Sequence, residues 1–188
     1  MEAFLVSAGI VALAEIGDKT QLLALILSAR FRRPVPIILG ILVSTLANHA
    51  LAGYVGAWVA AKVGPDLMRW ILGLSFLAMA VWILIPDKVD DEATSQRARF
   101  GIFGTTAIAF FLLEMGDKTQ IATIALAAKY PSLVAVVAGT TVGMMLANVP
   151  AVLLGEVASK KLPLKLVHGI AAALFAVLGI LVLLGVGR

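Results

Sequence analysis

Cysteine is absent from this 188-residue chain, which excludes disulfides, thiolate metal sites and cysteine nucleophiles. Charge is scarce as well: 14% of residues are Asp, Glu, Lys or Arg, against roughly 25% in soluble domains. No Gly-x-x-x-x-Gly-Lys-Ser/Thr run occurs, so there is no phosphate cradle for ATP-driven work. No nucleophile, base and orienting group fall into an enzyme-like pattern, and an enzyme is not expected. What fills the chain instead is apolar: 61% hydrophobic residues and a mean hydropathy of +1.04. The expected solvent is a lipid bilayer. The net charge of +4 does not point to nucleic acid, because the Lys and Arg residues sit in short breaks between apolar runs rather than in a patch.

Those runs fall at about 3 to 29, 35 to 61, 67 to 85, 102 to 128, 132 to 157 and 164 to 187, each long enough for a membrane-spanning helix of ~20 residues. The first is too long for a signal-peptide core and carries charge at its centre, so it is read as a retained helix. The expected fold is all-α and integral to the membrane, with six transmembrane helices. Lys and Arg taken by alternate loops give nine on one side (Arg30, Arg32, Arg33, Lys88, Arg97, Arg99, Lys160, Lys161, Lys165) and four on the other (Lys62, Arg69, Lys129, Arg188). The positive-inside rule then places the charged central loop in the cytoplasm and both termini outside.

A repeat organises the chain. Glu15-Ile16-Gly17-Asp18-Lys19-Thr20-Gln21 recurs as Glu114-Met115-Gly116-Asp117-Lys118-Thr119-Gln120, 99 residues on, with six of seven positions identical. Leu46-Ala47-Asn48 is echoed by Leu146-Ala147-Asn148, and Phe76 by Phe175. The domains expected are therefore a first three-helix repeat over 1–85, a linker over 86–101 and a second repeat over 102–188. Three spans separate equivalent helices, so the halves enter the membrane in opposite senses. Such inverted repeats place a transport site at their interface near the midplane.

The repeated motif carries the chemistry. An ionised group at a helix centre costs ~2.5–3.5 kcal/mol on insertion scales, so Glu15, Asp18, Lys19, Glu114, Asp117 and Lys118 need partners, water or protons. On a helix, Glu15 and Asp18 lie about 60° apart, and both carboxylates can meet one ion. Lys19 follows Glu15 by four residues, the favourable order for an intrahelical pair, and could hold that carboxylate or substitute for a departing cation. Each motif sums to minus one, and two together match one divalent cation. Gly17 and Gly116 permit close helix approach or local unwinding. Gln21 and Gln120 are the better neutral ligands, since Thr20 on an unbroken helix points away from Glu15, while Thr119, Lys118 and Lys19 are supporting residues. An all-oxygen set suits calcium, magnesium or manganese over zinc or copper. Met115, Met144 and Met145 are read as packing. Asn48 and Asn148 are candidate supporting donors or ligands. His49 has Val149 at the matching position and is read as a satisfied polar residue, and His168 carries less weight still. Trp58, Trp70 and Tyr130 look like interfacial anchors.

These residues resemble the Glu-x-Gly-Asp-Lys-Thr/Ser membrane family, which includes bacterial manganese exporters and the eukaryotic Golgi Gdt-type cation exchangers. The likeness covers the whole chain, with no departure in either motif. It implies a manganese or calcium transporter that exchanges its cargo for protons, with Glu15, Asp18, Glu114 and Asp117 as the cation site and no bound cofactor. A short N-terminus, without the extension of some eukaryotic relatives, favours a bacterial inner membrane. A homo-oligomer is compatible with the sequence. The residues alone also leave open a proton-coupled exporter of small solutes, an ion channel and a non-transporting assembly factor.

Overall fold

The structure is a computed structural model that describes residues 1–85, 100–154 and 164–185. Residues 86–99, which hold most of the expected linker, lie outside the described residues, as do Glu156, Lys160, Lys161 and Arg188. Among the described residues the chain forms eight α-helices: α1 Glu2–Glu15, α2 Lys19–Phe31, α3 Pro34–Lys62, α4 Pro65–Trp82, α5 Gly101–Glu114, α6 Lys118–Lys129, α7 Leu133–Leu154 and α8 Leu164–Leu183. Three of them, α3, α7 and α8, are each long and apolar enough to cross a membrane unaided. Pro34 and Pro65 open α3 and α4 at the first turn, where a missing N–H costs nothing. Large apolar side chains such as Val81, Val134, Leu5 and Trp58 face outward, a surface suited to lipid rather than water.

One expectation fails in an informative way. The runs at 3 to 29 and 102 to 128 are not continuous helices but helix pairs, α1–α2 and α5–α6, broken within the motif. Gly17 and Gly116 adopt φ of 84° and 76°, a left-handed conformation open to glycine and costly for other residues. Hydropathy cannot see such a break, because the apolar run continues through it.

The packing follows the repeat. α1 lies along α7, and α3 lies along α5, so the leading helix of each half packs on the long helix of the other. A Cβ on Gly40 would meet the Phe103 carbonyl at 2.9 Å, and one on Gly139 would meet the Phe4 carbonyl at 2.5 Å. Both partners shift by the same 99 residues, so small residues set the same close approach twice. α4 and α8 pack together, with the rings of Phe76 and Phe175 6.2 Å apart.

The buried apolar residues form two clusters. One draws on α1, α4, α6, α7 and α8 through Ile10, Phe76, Leu126, Val136 and Phe175. The other draws on α2, α3, α5 and α7 through Leu23, Ile41, Phe110 and Val152. The chain thus leaves the first cluster for the second through the first motif, and returns from the second to the first through the second motif. Between two apolar cores, and in opposite chain directions, lie the two breaks.

Candidate functional site

Each break is built the same way. The N–H of Asp18 donates to the Glu15 carbonyl at 3.0 Å and that of Asp117 to Glu114 at 3.1 Å, closing a tight turn. Asp18 and Asp117 then stand at the N-cap positions of α2 and α6. Aspartate there normally accepts from the first-turn N–H groups, but neither carboxylate makes a capping bond. Gln21 and Gln120, three residues later, do the latching: their Oε1 atoms accept from the N–H of Gly17 at 2.9 Å and of Gly116 at 2.7 Å. The glutamines thus pin the glycines of the breaks, and the aspartates lie buried at the positive ends of two helix dipoles.

The four acids are withdrawn from solvent: Glu15 is fully buried, and Asp18, Glu114 and Asp117 are at most 2% exposed. The lysines cross between halves. Lys19 Nζ lies 2.9 Å from Asp117 Oδ1, and Lys118 Nζ lies 3.9 Å from Asp18 Oδ1. The sequence suggested that Lys19 would serve Glu15 along one helix. The break at residues 16–18 removes the continuous helix on which that four-residue spacing depends, and the ammonium is set against the opposite motif. Lys118 also donates to the Ile85 carbonyl at 3.1 Å.

The surroundings of the two glutamates differ. Asn148 Nδ2 donates to Glu15 Oε1 at 3.0 Å and also meets the Met144 carbonyl and sulfur. Glu114 Oε1 instead accepts from the Thr119 hydroxyl, while Thr20, its repeat counterpart, is buried with no hydrogen-bond partner. Asn48 donates to the Phe111 carbonyl at 2.9 Å and accepts from Gln120 Nε2 at 2.7 Å. Gln21 Nε2 donates to the Ala147 carbonyl at 3.1 Å. Buried oxygens remain without hydrogen bonds at Glu15 Oε2, Glu114 Oε2, Asp117 Oδ2 and Asn148 Oδ1. An acceptor left so in a dry interior is costly unless something positive meets it. Among the described residues, no three Asp, Glu or His side chains stand close enough together to hold a metal ion, so ligation requires the acids to converge.

Both histidines of the chain lie at this site, which the sequence reading did not anticipate. His49 Nε2 is 3.7 Å from Glu114 Oε1, and neither ring nitrogen has a hydrogen-bond partner, so it is not the satisfied polar residue expected. His168 Nε2 donates at 2.6 Å to the carbonyl of Ile16, within the first break. Position 49 directly follows the repeated Asn48, which was the signal available. Met115 is exposed, and Met144 is buried against Asn148.

A family model described as "Divalent cation/proton antiporter GDT1" matches residues 3–91 and again residues 102–187. A Vibrio cholerae protein named "Putative manganese exporter" is 52% identical over 182 residues, covering 96% of this chain and 90% of its own. "GDT1-like protein 3" from the indica and japonica subspecies of Oryza sativa is 27% identical over 201 residues, covering 93% of this chain and 71% of its own. No solved structure matches.

Proposed function

The chain belongs to the GDT1 family of divalent cation/proton antiporters, a membrane transporter and not an enzyme, and from that premise we propose that its two motifs form one cation site at the interface of an inverted repeat. Residues 1–85 and 102–188 are the two repeats, and each broken pair, α1–α2 and α5–α6, serves as one span, giving six in all. The cargo is manganese leaving the cell, as the name of the Vibrio cholerae relative suggests, in exchange for protons, as the family's description gives. The membrane is then the inner membrane, with the central loop cytoplasmic and both termini outside. The Tyr130 hydroxyl donates to Glu2 at 3.2 Å, which supports placing the start of α1 and the end of α6 on one face.

The observation that carries the site is the reciprocal crossing of Lys19 to Asp117 and Lys118 to Asp18. Four carboxylates and two ammonium groups leave a deficit of two charges, which one divalent cation fills. Glu15, Asp18, Glu114 and Asp117 are the ligands. Gln21 and Gln120 serve chiefly to latch the breaks, since their oxygens already accept from backbone N–H groups. Thr119, Asn48 and Asn148 orient these groups. When the acids converge on a cation the lysines withdraw, and when it leaves, lysines and protons neutralise the acids again. Rocking of one half against the other exposes the site to each side in turn.

The alternatives of solute exporter, channel and assembly factor lack any comparable support. Manganese flux in proteoliposomes, with internal pH recorded, is the direct test. Manganese uptake should drive proton movement in the opposite direction, and both should vanish together in Glu15→Gln and Asp117→Asn. Normal transport by either variant would remove the site assignment.

A further inference from the structure

We infer that His49 is a ligand of the transported cation, adding one nitrogen donor to an otherwise all-oxygen site and biasing it towards a transition-metal ion over calcium and magnesium. This rests on the reading that the paired motifs hold the cation.

His49 sits on α3, which packs against α5, α6 and α7, and it is fully buried. A neutral imidazole offers one N–H and one lone pair. Here neither nitrogen has a hydrogen-bond partner, an arrangement native interiors rarely tolerate. Nε2 is nevertheless 3.7 Å from Glu114 Oε1, too long for a hydrogen bond but well suited to a shared ion. Two donors each about 2.0–2.5 Å from one cation lie roughly 3–4 Å apart at ordinary ligation angles. Glu114 has already turned Oε1 to Thr119 and keeps Oε2 without a hydrogen bond.

The charges around the ring fit this role. Glu114 is the only ionisable residue on α5, and α7 carries none. Lys19 on α2 and Lys118 on α6 are directed to Asp117 and Asp18.

The repeat supplies the contrast. Position 149 holds Val where position 49 holds His, and the amide of Asn148 attends Glu15 instead. One half-site is thus purely oxygen, which suits hard cations, and the other includes imidazole, a ligand of transition-metal ions; manganese, a hard ion but the first of the divalent transition series, accepts such a nitrogen more readily than calcium does.

Pulsed electron paramagnetic resonance on the full-length protein loaded with Mn²⁺ reads the bond directly. Native protein should show the nitrogen modulation of a bound imidazole, and 15N-histidine labelling should change its frequency. His168→Gln should keep the modulation and His49→Gln should lose it. In flux assays with manganese and calcium as competing cargoes, His49→Gln should lower manganese flux relative to calcium flux about tenfold, the low end of what loss of one supporting group costs at a metal site. Bound manganese without nitrogen modulation, or loss of modulation in His168→Gln, overturns the His49 assignment while the carboxylate site stands. An equal fall of manganese and calcium flux in His49→Gln shows a structural role and overturns it too. If native protein binds no manganese, the cation site itself fails and this inference falls with it.

Discussion

The two motif regions share six of seven residues and the same backbone break, yet their glutamates live in different company. Glu15 faces an amide from α7, and Glu114 faces its own threonine and an imidazole from α3. What stayed symmetric is the machinery of the break: glycine at positive φ, glutamine as latch, aspartate turned inward and lysine across the interface. What diverged lies partly within the motif, where Thr119 reaches its glutamate and Thr20 does not, and partly outside it, on α3 and α7. Duplication therefore accounts for the paired breaks of the candidate site, and the long helices contribute much of the difference between its halves.

Removing one carboxylate from either side tests the two half-sites most strongly. Glu15→Gln and Glu114→Gln should each lower manganese flux by more than the roughly 10–100-fold that loss of a supporting group costs at a metal site. If one variant transports normally, only one half holds the cation. The lysines come next. Lys19→Met and Lys118→Met each remove a competitor for an aspartate, so manganese should bind about tenfold tighter while turnover falls. Weaker binding in both would show that the lysines hold the site open rather than compete for it.

That the two motifs form the candidate site was legible in the sequence because charged residues in apolar runs are rare and these came twice in register, and the structure brings the two motifs together. The helix breaks were not, although Gly17 and Gly116 hinted at them: a positive φ leaves no trace in hydropathy, and Asp-Lys-Thr-Gln reads equally well as helix interior or helix start. With the break missed, the spacing from Glu15 to Lys19 suggested a local pair, where the structure makes a pair between halves. The histidines were harder still. His49 and His168 reach the motifs through helix packing, from 65 residues before Glu114 and 152 after Ile16; the repeated Asn48 beside His49 was the one local hint, and nothing near His168 in the sequence offered another.

The breaks themselves predict a smaller and equal effect in the two halves. Gly17→Ala and Gly116→Ala must hold a side chain at positive φ, which costs about 1–2 kcal/mol each. At Gly116 nothing crowds a Cβ, so the loss there is backbone strain alone, and thermal unfolding in detergent should show it. No loss of stability at position 116 would mean that this turn relaxes without glycine.

The smallest expected effect lies away from the site, at the end of α6, where Tyr130 joins the second half to Glu2 of the first. Burial, and then the charge and hydrogen bond of Glu2, push the Tyr130 hydroxyl up to about 12. A phenol raised in the folded state favours folding while it is protonated. That contribution is complete below about pH 10, the unfolded value, and is lost as pH rises through about 12. Partial exposure to solvent keeps the contribution modest. Tyr130→Phe should leave manganese flux unchanged at neutral pH and remove this part of the alkaline loss of stability. If Tyr130→Phe abolished transport, the tie between the two halves at this face would belong to the transport cycle, and the difference between the half-sites would no longer be confined to their glutamates.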